Sequence, residues 1–223
     1  MAWSSVVYAL LFFLPAYVAN MSPLLVAKAI PGWKAPIDGG RLARDGRPLL
    51  GKGKTWRGLV GGTVLGAVTA VVVALLVPSH TEPGFFHGWD YGHGGFDGAP
   101  IGSVDPCDDT AKCQSDASSL WAIALYGAIL GYAALVGDAL KSYFKRRRGK
   151  PGGAPWVPFD QLDFVVLGLM AAVVAAPLLV DGWVFAALFD DWVVLATLIV
   201  LTPLLHFLVN VIGYWLKLKD VPW

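Results

Sequence analysis

Charge is scarce in this chain. Only 15% of its 223 residues are Asp, Glu, Lys or Arg, whereas 56% are hydrophobic, and the mean hydropathy is +0.59. So little charge excludes a soluble domain of this size and fits a polytopic membrane protein. Nucleophile motifs are missing as well: there is no G-x-S-x-G and no H-E-x-x-H, and both cysteines, Cys107 and Cys113, fall in one acidic segment. No internal repeat is found, and ionisable residues avoid the middles of the apolar runs, which argues against a transporter or channel for an anionic solute. A non-catalytic scaffold is disfavoured on different grounds, since it leaves Asp138, Asp160 and Asp163 without a purpose.

What the chain does have is long apolar runs. A bilayer-spanning helix needs about 20 mostly apolar residues. Five stretches qualify, near 6–27, 58–77, 118–136, 164–180 and 192–216. The first lacks the short apolar core and Ala-x-Ala site of a cleavable signal and reads as a retained span. The expected architecture is all-α and polytopic, with five transmembrane helices in a single integral membrane catalytic domain over 1–223.

The net charge of +1 hides a strong alternation. Residues 28–57 carry eight bases and two acids, and 78–117 carry seven acids and one base. Residues 141–163 carry six bases and two acids, and 181–191 carry three acids and no base. By the positive-inside rule the N-terminus lies outside, the two basic loops and the C-terminus are cytoplasmic, and 78–117 is an outer loop. Tryptophans at 3, 33, 56, 121, 156, 192 and 215 lie near span ends, as interfacial aromatics do. In the outer loop, Cys107 and Cys113 are placed to form a structural disulfide. The aspartates beside them lack EF-hand spacing, and a solvated acidic loop is the expected reading.

Chemistry is therefore expected in the two basic loops. The first contains Gly51-Lys52-Gly53-Lys54-Thr55-Trp56-Arg57-Gly58 at the threshold of the second span. Glycines let backbone N–H groups approach an anion, and a helix beginning near Thr55 or Trp56 offers its positive end. Lys52, Lys54 and Arg57 add full charges. A Walker A motif ending at Thr55 fails because Pro48 stands where glycine is required. The same loop also reads as a positive-inside segment touching anionic lipid.

In the second loop, Asp138, Lys141, Ser142, Lys145 and Arg146 fall on one helical face that continues the third span. Asp138 at a span end is either paired with Lys141 or Lys145 or functional. Asp160 and Asp163, three residues apart at the start of the fourth span, suit a divalent cation. Magnesium takes one or two carboxylates and completes its shell with phosphate oxygens and water. N-capping by Asp160, with Asp163 favouring the helix dipole, is the alternative. Asn20, just before Pro23 in the first span, is a candidate substrate contact and the candidate for reading the nucleotide base, because a proline-freed carbonyl is tolerated beside a polar cavity. His206 and Asn210 in the fifth span are expected to serve interhelical hydrogen bonding. Acids, bases and glycines without a nucleophile suit phosphoryl or nucleotidyl transfer, where catalysis is mainly positioning and charge neutralisation.

At these residues the chain resembles the CTP-dependent lipid cytidylyltransferases. The segment Gly51–Gly62 is similar to their S-P-G-K-T-W-x-G-x-x-G-G. Gly137-Asp138, Ser142, Lys145-Arg146, Asp160 and Asp163 match G-D-x-x-x-S-x-x-K-R followed by D-x-x-D. Where phosphatidate enzymes have Lys-Asp and then His-Gly-Gly, this chain has Lys150-Pro151 and Pro158-Phe159-Asp160-Gln161-Leu162-Asp163. With N-x-x-P at Asn20–Pro23 and P-x-D-G-G-R at Pro36–Arg41, it is most similar to the archaeal CDP-archaeol synthase branch.

That resemblance implies transfer of CMP from CTP to an isoprenoid lipid, 2,3-bis-O-geranylgeranylglycerol 1-phosphate, at the cytoplasmic face of the cell membrane. A phosphatidate-type or other lipid phosphate is the alternative acceptor, and no nucleic-acid partner is expected. It further implies magnesium on Asp160 and Asp163, with Asp138 joining them. Lys52, Lys54, Thr55 and Arg57, with Gly53 between them, would hold the departing pyrophosphate. Lys145 and Arg146, beside Ser142, would hold the lipid phosphate. Asp38 with Gly39 and Gly40 would close over the nucleotide or add a metal ligand.

Overall fold

The computed structural model describes residues 2–76, 117–152, 154, 156, 159–179 and 192–217. Five helices follow in order: α1 (Ala2–Ala29), α2 (Trp56–Leu76), α3 (Ala117–Arg147), α4 (Phe159–Leu179) and α5 (Trp192–Trp215). No strand forms among the described residues; isolated bridges pair Pro36 with Thr55 and Leu42 with Pro48. The fold is all-helical, as expected. Four helices are long and apolar enough to cross a membrane, whereas α4 carries a shorter apolar stretch, Leu162–Ala175. Most of the acidic outer loop, with Cys107 and Cys113, and the acidic segment 181–191 lie outside the described residues.

Packing around α2 shows why this bundle belongs in lipid. Gly58, Gly62, Gly66 and Ala70 recur every four residues and are buried. Val60, Val64, Val68 and Val72 recur with the same spacing and are exposed. Small residues inside and bulky apolar residues outside are what helix association in a bilayer selects, because lipid removes any hydrophobic drive between helices. At Gly66 an added Cβ would lie 2.7 Å from the Gly127 carbonyl oxygen of α3. Glycine is what lets the two backbones touch.

Aromatic packing fills the centre. Phe12, Phe13, Tyr126, Leu130, Phe164 and Leu198 are fully buried, joining α1, α3, α4 and α5. Phe13 stacks edge-on to Tyr17 at 5.3 Å, and Tyr17 meets Phe164 at 5.9 Å. The Tyr17 and Thr202 hydroxyls are 2.5 Å apart and tie α1 to α5.

α3 has 31 residues, so it is about 46 Å long and outruns a hydrocarbon core of about 30 Å. Its C-terminal turns carry Lys145, Arg146 and Arg147, which also complement the helix dipole. The loop 30–55 docks against this end. Arg147 Nη1 donates to Asp45 Oδ1 at 2.7 Å, and its Nη2 donates to the Pro48 carbonyl at 2.8 Å. Arg146 Nη1 donates to the Lys150 carbonyl at 2.5 Å, while its guanidinium also faces Gly51 and Gly152. Both basic loops thereby meet at one end of the bundle.

Candidate active site

Six charged side chains from three elements meet beneath those loops. Lys54 closes the first loop and bonds to Asp138 of α3. Lys141, one turn after Asp138, reaches Asp138 Oδ1 at 3.0 Å, Asp160 Oδ1 at 3.3 Å and Asp163 Oδ2 at 2.9 Å. Lys145, one turn further, donates to Asp160 Oδ1 and Oδ2 at 3.1 and 3.2 Å. Three carboxylates and three ammonium groups therefore balance. Asp138 pairs with Lys141 and Lys54, and Lys145 goes to Asp160.

Gly137 makes this convergence possible. A Cβ there would lie 2.6 Å from the Asp163 carbonyl oxygen, so α3 and α4 touch beside the two aspartates. The glycine of the G-D pair is thus a spacing residue. Gly137→Ala should push α4 outward and lower activity at least tenfold, at a stability cost of about 1–3 kcal/mol typical of overpacking. The paired measurement is turnover and Tm of the purified protein; parental turnover would show that the spacing is immaterial.

Asp160 and Asp163 differ in how they are used. The Asp160 carboxylate accepts the backbone N–H of Trp156 at 2.5 Å as well as Lys145. Burial alone would raise its pKa, but Lys141, Lys145 and the Trp156 N–H outweigh it and hold it below the ordinary carboxylate value. Asp163 is buried, its side chain only 7% exposed. The Lys141 ammonium lies 2.9 Å from its Oδ2 and is the cation that compensates this buried carboxylate. Buried carboxylate oxygens are costly unless a cation uses them. Among the described residues no three carboxylate, thiol or imidazole groups are gathered closely enough to hold an ion by themselves. The fit is to an ion that takes one or two carboxylates and draws its other oxygens from phosphate and water.

A cavity of about 620 Å³ opens from this cluster. Lys54, Asp138, Lys141, Lys145 and Asp160 line its charged end, with Ala154 from the second loop. Its other walls come from α1 and α5, including Tyr17, Leu24, Leu25, Phe207 and Ile212, together with Phe164 of α4. Asn20 lines it too, as do His206 and Asn210, whose Nδ1 and Nδ2 lie 3.1 Å apart within α5. Those two residues thus bond along one helix and also face the cavity.

Other sequence candidates sit elsewhere. Lys52 and Gly53 are exposed and line no part of the cavity. Thr55 stands at the N-terminus of α2, its hydroxyl 3.4 Å from the Gly58 nitrogen. Arg57 donates to the Ile30 carbonyl at 2.7 Å, and Ser142 donates back to the Asp138 carbonyl at 2.9 Å. Asp38 uses one oxygen for the Gly40 N–H and the other for the Leu50 N–H, each at 2.9 Å, and so shapes the loop. Burial works to raise its pKa, but those N–H donors prevail and lower it. Gly39 and Gly40 take positive φ in the same turn and are exposed. Lys141, central to the cluster, was not among the expected site residues. Its signal was its place on the helical face shared with Asp138, Ser142, Lys145 and Arg146.

Apolar helices with paired acids and bases at one end of a half-apolar cavity bring a charged head and apolar chains within reach of one site. The family model for the cytidylyltransferase family matches residues 48–149, and the model for CDP-archaeol synthase matches residues 3–85 and 109–223. A CDP-archaeol synthase of Thermococcus kodakarensis is 33% identical over 224 residues, all of both chains. Those of Methanosphaerula palustris and Methanocorpusculum labreanum are 38% and 37% identical, covering 94% of this chain and 99% of each relative. A solved structure described as an intramembrane enzyme for archaeal membrane lipids biosynthesis is 27% identical, with a TM-score of 0.50 over 82% of this chain and 89% of that one. The chain belongs to the CDP-archaeol synthase family and is a multi-pass, CTP-dependent cytidylyltransferase.

Proposed function

We propose that this enzyme transfers CMP from CTP to 2,3-bis-O-geranylgeranylglycerol 1-phosphate on the cytoplasmic side of the membrane, with five spans, an outer N-terminus and an inner C-terminus. The observation that carries this reading is the cavity, charged at one end and walled by apolar faces of α1 and α5 at the other. One substrate with a dianionic head and apolar chains fits both ends. Alternating loop charge supports the orientation, since both basic loops meet at the charged end.

The chemistry follows from charge. A lipid phosphate oxygen attacks the α-phosphorus of CTP, and the bond to the α–β bridging oxygen breaks as pyrophosphate leaves. A phosphate monoester is already nucleophilic at neutral pH, so no strong base is required. The obstacle is repulsion between two polyanions. Magnesium, held by Asp163 and Asp160 with Asp138 adjacent, would supply charge neutralisation of the triphosphate. Lys54 stabilises charge developing on the pyrophosphate, and Lys145, fixed by Asp160, orients the lipid phosphate. Asn20, His206 and Asn210 add polar contacts to the cavity lining, suited to the glycerol part of the lipid.

Purified protein with CTP, magnesium and a panel of lipid phosphates tests this, with pyrophosphate release as readout. The unsaturated diether phosphate should give kcat/KM at least about tenfold above phosphatidate, a difference of roughly 1.4 kcal/mol. Equal values would show a general lipid-phosphate cytidylyltransferase instead.

A further inference from the structure

Lys141 stands where a cation would be needed. Its ammonium touches Asp138, Asp160 and Asp163 at 2.9–3.3 Å. Lys54 and Lys145 each hold one carboxylate from the side. The three carboxylates keep between 7% and 18% of their side-chain surface exposed. Carboxylates so placed repel one another unless positive charge sits between them. A metal ion reaching these carboxylates from the cavity meets this ammonium, and both cannot share the position. Lysine suits displacement, being a point charge on a flexible stem, and this one borders the cavity into which it could turn.

We propose that Lys141 is a resident counter-ion at the metal position. It neutralises Asp138, Asp160 and Asp163 until a divalent cation arrives with its nucleotide, and its displaced ammonium then binds the phosphate oxygens brought by that complex. The proposal rests on the cytidylyltransferase reading of the site. It gives Lys141 two partners in sequence, carboxylate and then phosphate, so the charge it loses on one side is regained on the other. It also makes metal binding depend on nucleotide, because without phosphate the displaced ammonium has no anion to receive it. The other role for such a lysine is a fixed strut clamping α3 to α4.

Manganese binding separates the two, measured by the loss of the free Mn²⁺ resonance in electron paramagnetic spectra of the detergent-purified full chain. Parent protein should bind Mn²⁺ weakly alone and at least about tenfold more tightly as Mn²⁺–CTP, counted as Mn²⁺ retained with the protein beyond that held by CTP in a protein-free control. Lys141→Met should bind Mn²⁺ alone at least about tenfold more tightly than the parent, because its competitor is gone. Its Tm should fall without metal and recover with it. Lys141→Arg covers the case in which the methionine variant does not fold. A guanidinium fork grips carboxylates bidentately and is harder to displace, so Mn²⁺ should bind more weakly than in the parent while Tm holds. Parental Mn²⁺ affinity in both variants, or a loss of Tm in Lys141→Met that Mn²⁺ does not restore, would establish the strut. These outcomes are read without turnover. They therefore stay distinct from failure of the site reading, which would appear as full activity of Asp163→Asn at low magnesium.

Discussion

Asp163→Asn should lose at least about a hundredfold in kcat while keeping a Tm close to that of the parent, because Asp163 has little structural work to lose. Its side chain is buried, with the Lys141 ammonium 2.9 Å from Oδ2. Its cationic partner, Lys141, keeps Asp138 and Asp160 when Asp163 is neutralised. An amide of the same size removes a buried charge at little packing cost. A neutral amide is, however, a poor ligand for a hard cation. Loss of about 3 kcal/mol of transition-state stabilisation corresponds to roughly two orders of magnitude in rate. Elevated magnesium should restore part of the rate. Asp160→Asn should lower activity comparably but also lower Tm, since Asp160 anchors Lys145 and the Trp156 N–H. Near-full turnover of both variants at low magnesium would make the carboxylates structural.

The contrast between these two aspartates was not legible in the sequence, where they form a symmetrical i, i+3 pair at a helix start. N-capping, the alternative reading for Asp160, gives way to a bond back to Trp156, because α4 already begins at Phe159. The helices themselves were legible, since runs of about 20 apolar residues leave few other structures possible in a bilayer. So was the extension of α3 past its apolar part, through the shared face of Asp138, Lys141 and Lys145. Which lysine meets which carboxylate was not legible, because that depends on how closely α4 approaches at Gly137. Nor was the placing of Asn20 beside His206 and Asn210, which requires α1 and α5 to pack together across most of the chain. The first loop shows the same limit in its strongest form. Glycines and lysines in one short segment all read alike as anion contacts, yet the loop's turns aim one lysine inward and leave another in the open.

Lys54 and Lys52 therefore make the sharpest comparison. Lys54 borders the cavity and bonds Asp138, whereas Lys52 is exposed and away from it. Lys54→Met should reduce kcat/KM by about two to three orders of magnitude, the range for losing one preorganised charge at a developing anion. Lys52→Met should stay within about threefold of the parent, as expected of a solvated surface charge. Lys54 also ties the first loop to α3, so its loss should cost stability as well, about 1–3 kcal/mol, by leaving Asp138 under-compensated. The double variant Lys54→Met, Asp138→Asn separates the two effects. Removing the under-compensated charge should return most of the lost Tm, because Lys141 still has Asp160 and Asp163. It should return none of the activity, since the cation facing the pyrophosphate is still missing. Lys54→Arg keeps the charge but replaces a compact ammonium with a planar fork, and should recover only part of the rate. If turnover of the double variant rises together with its Tm, Lys54 acts by holding the loop in place, and pyrophosphate stabilisation must come from another residue of the two basic loops.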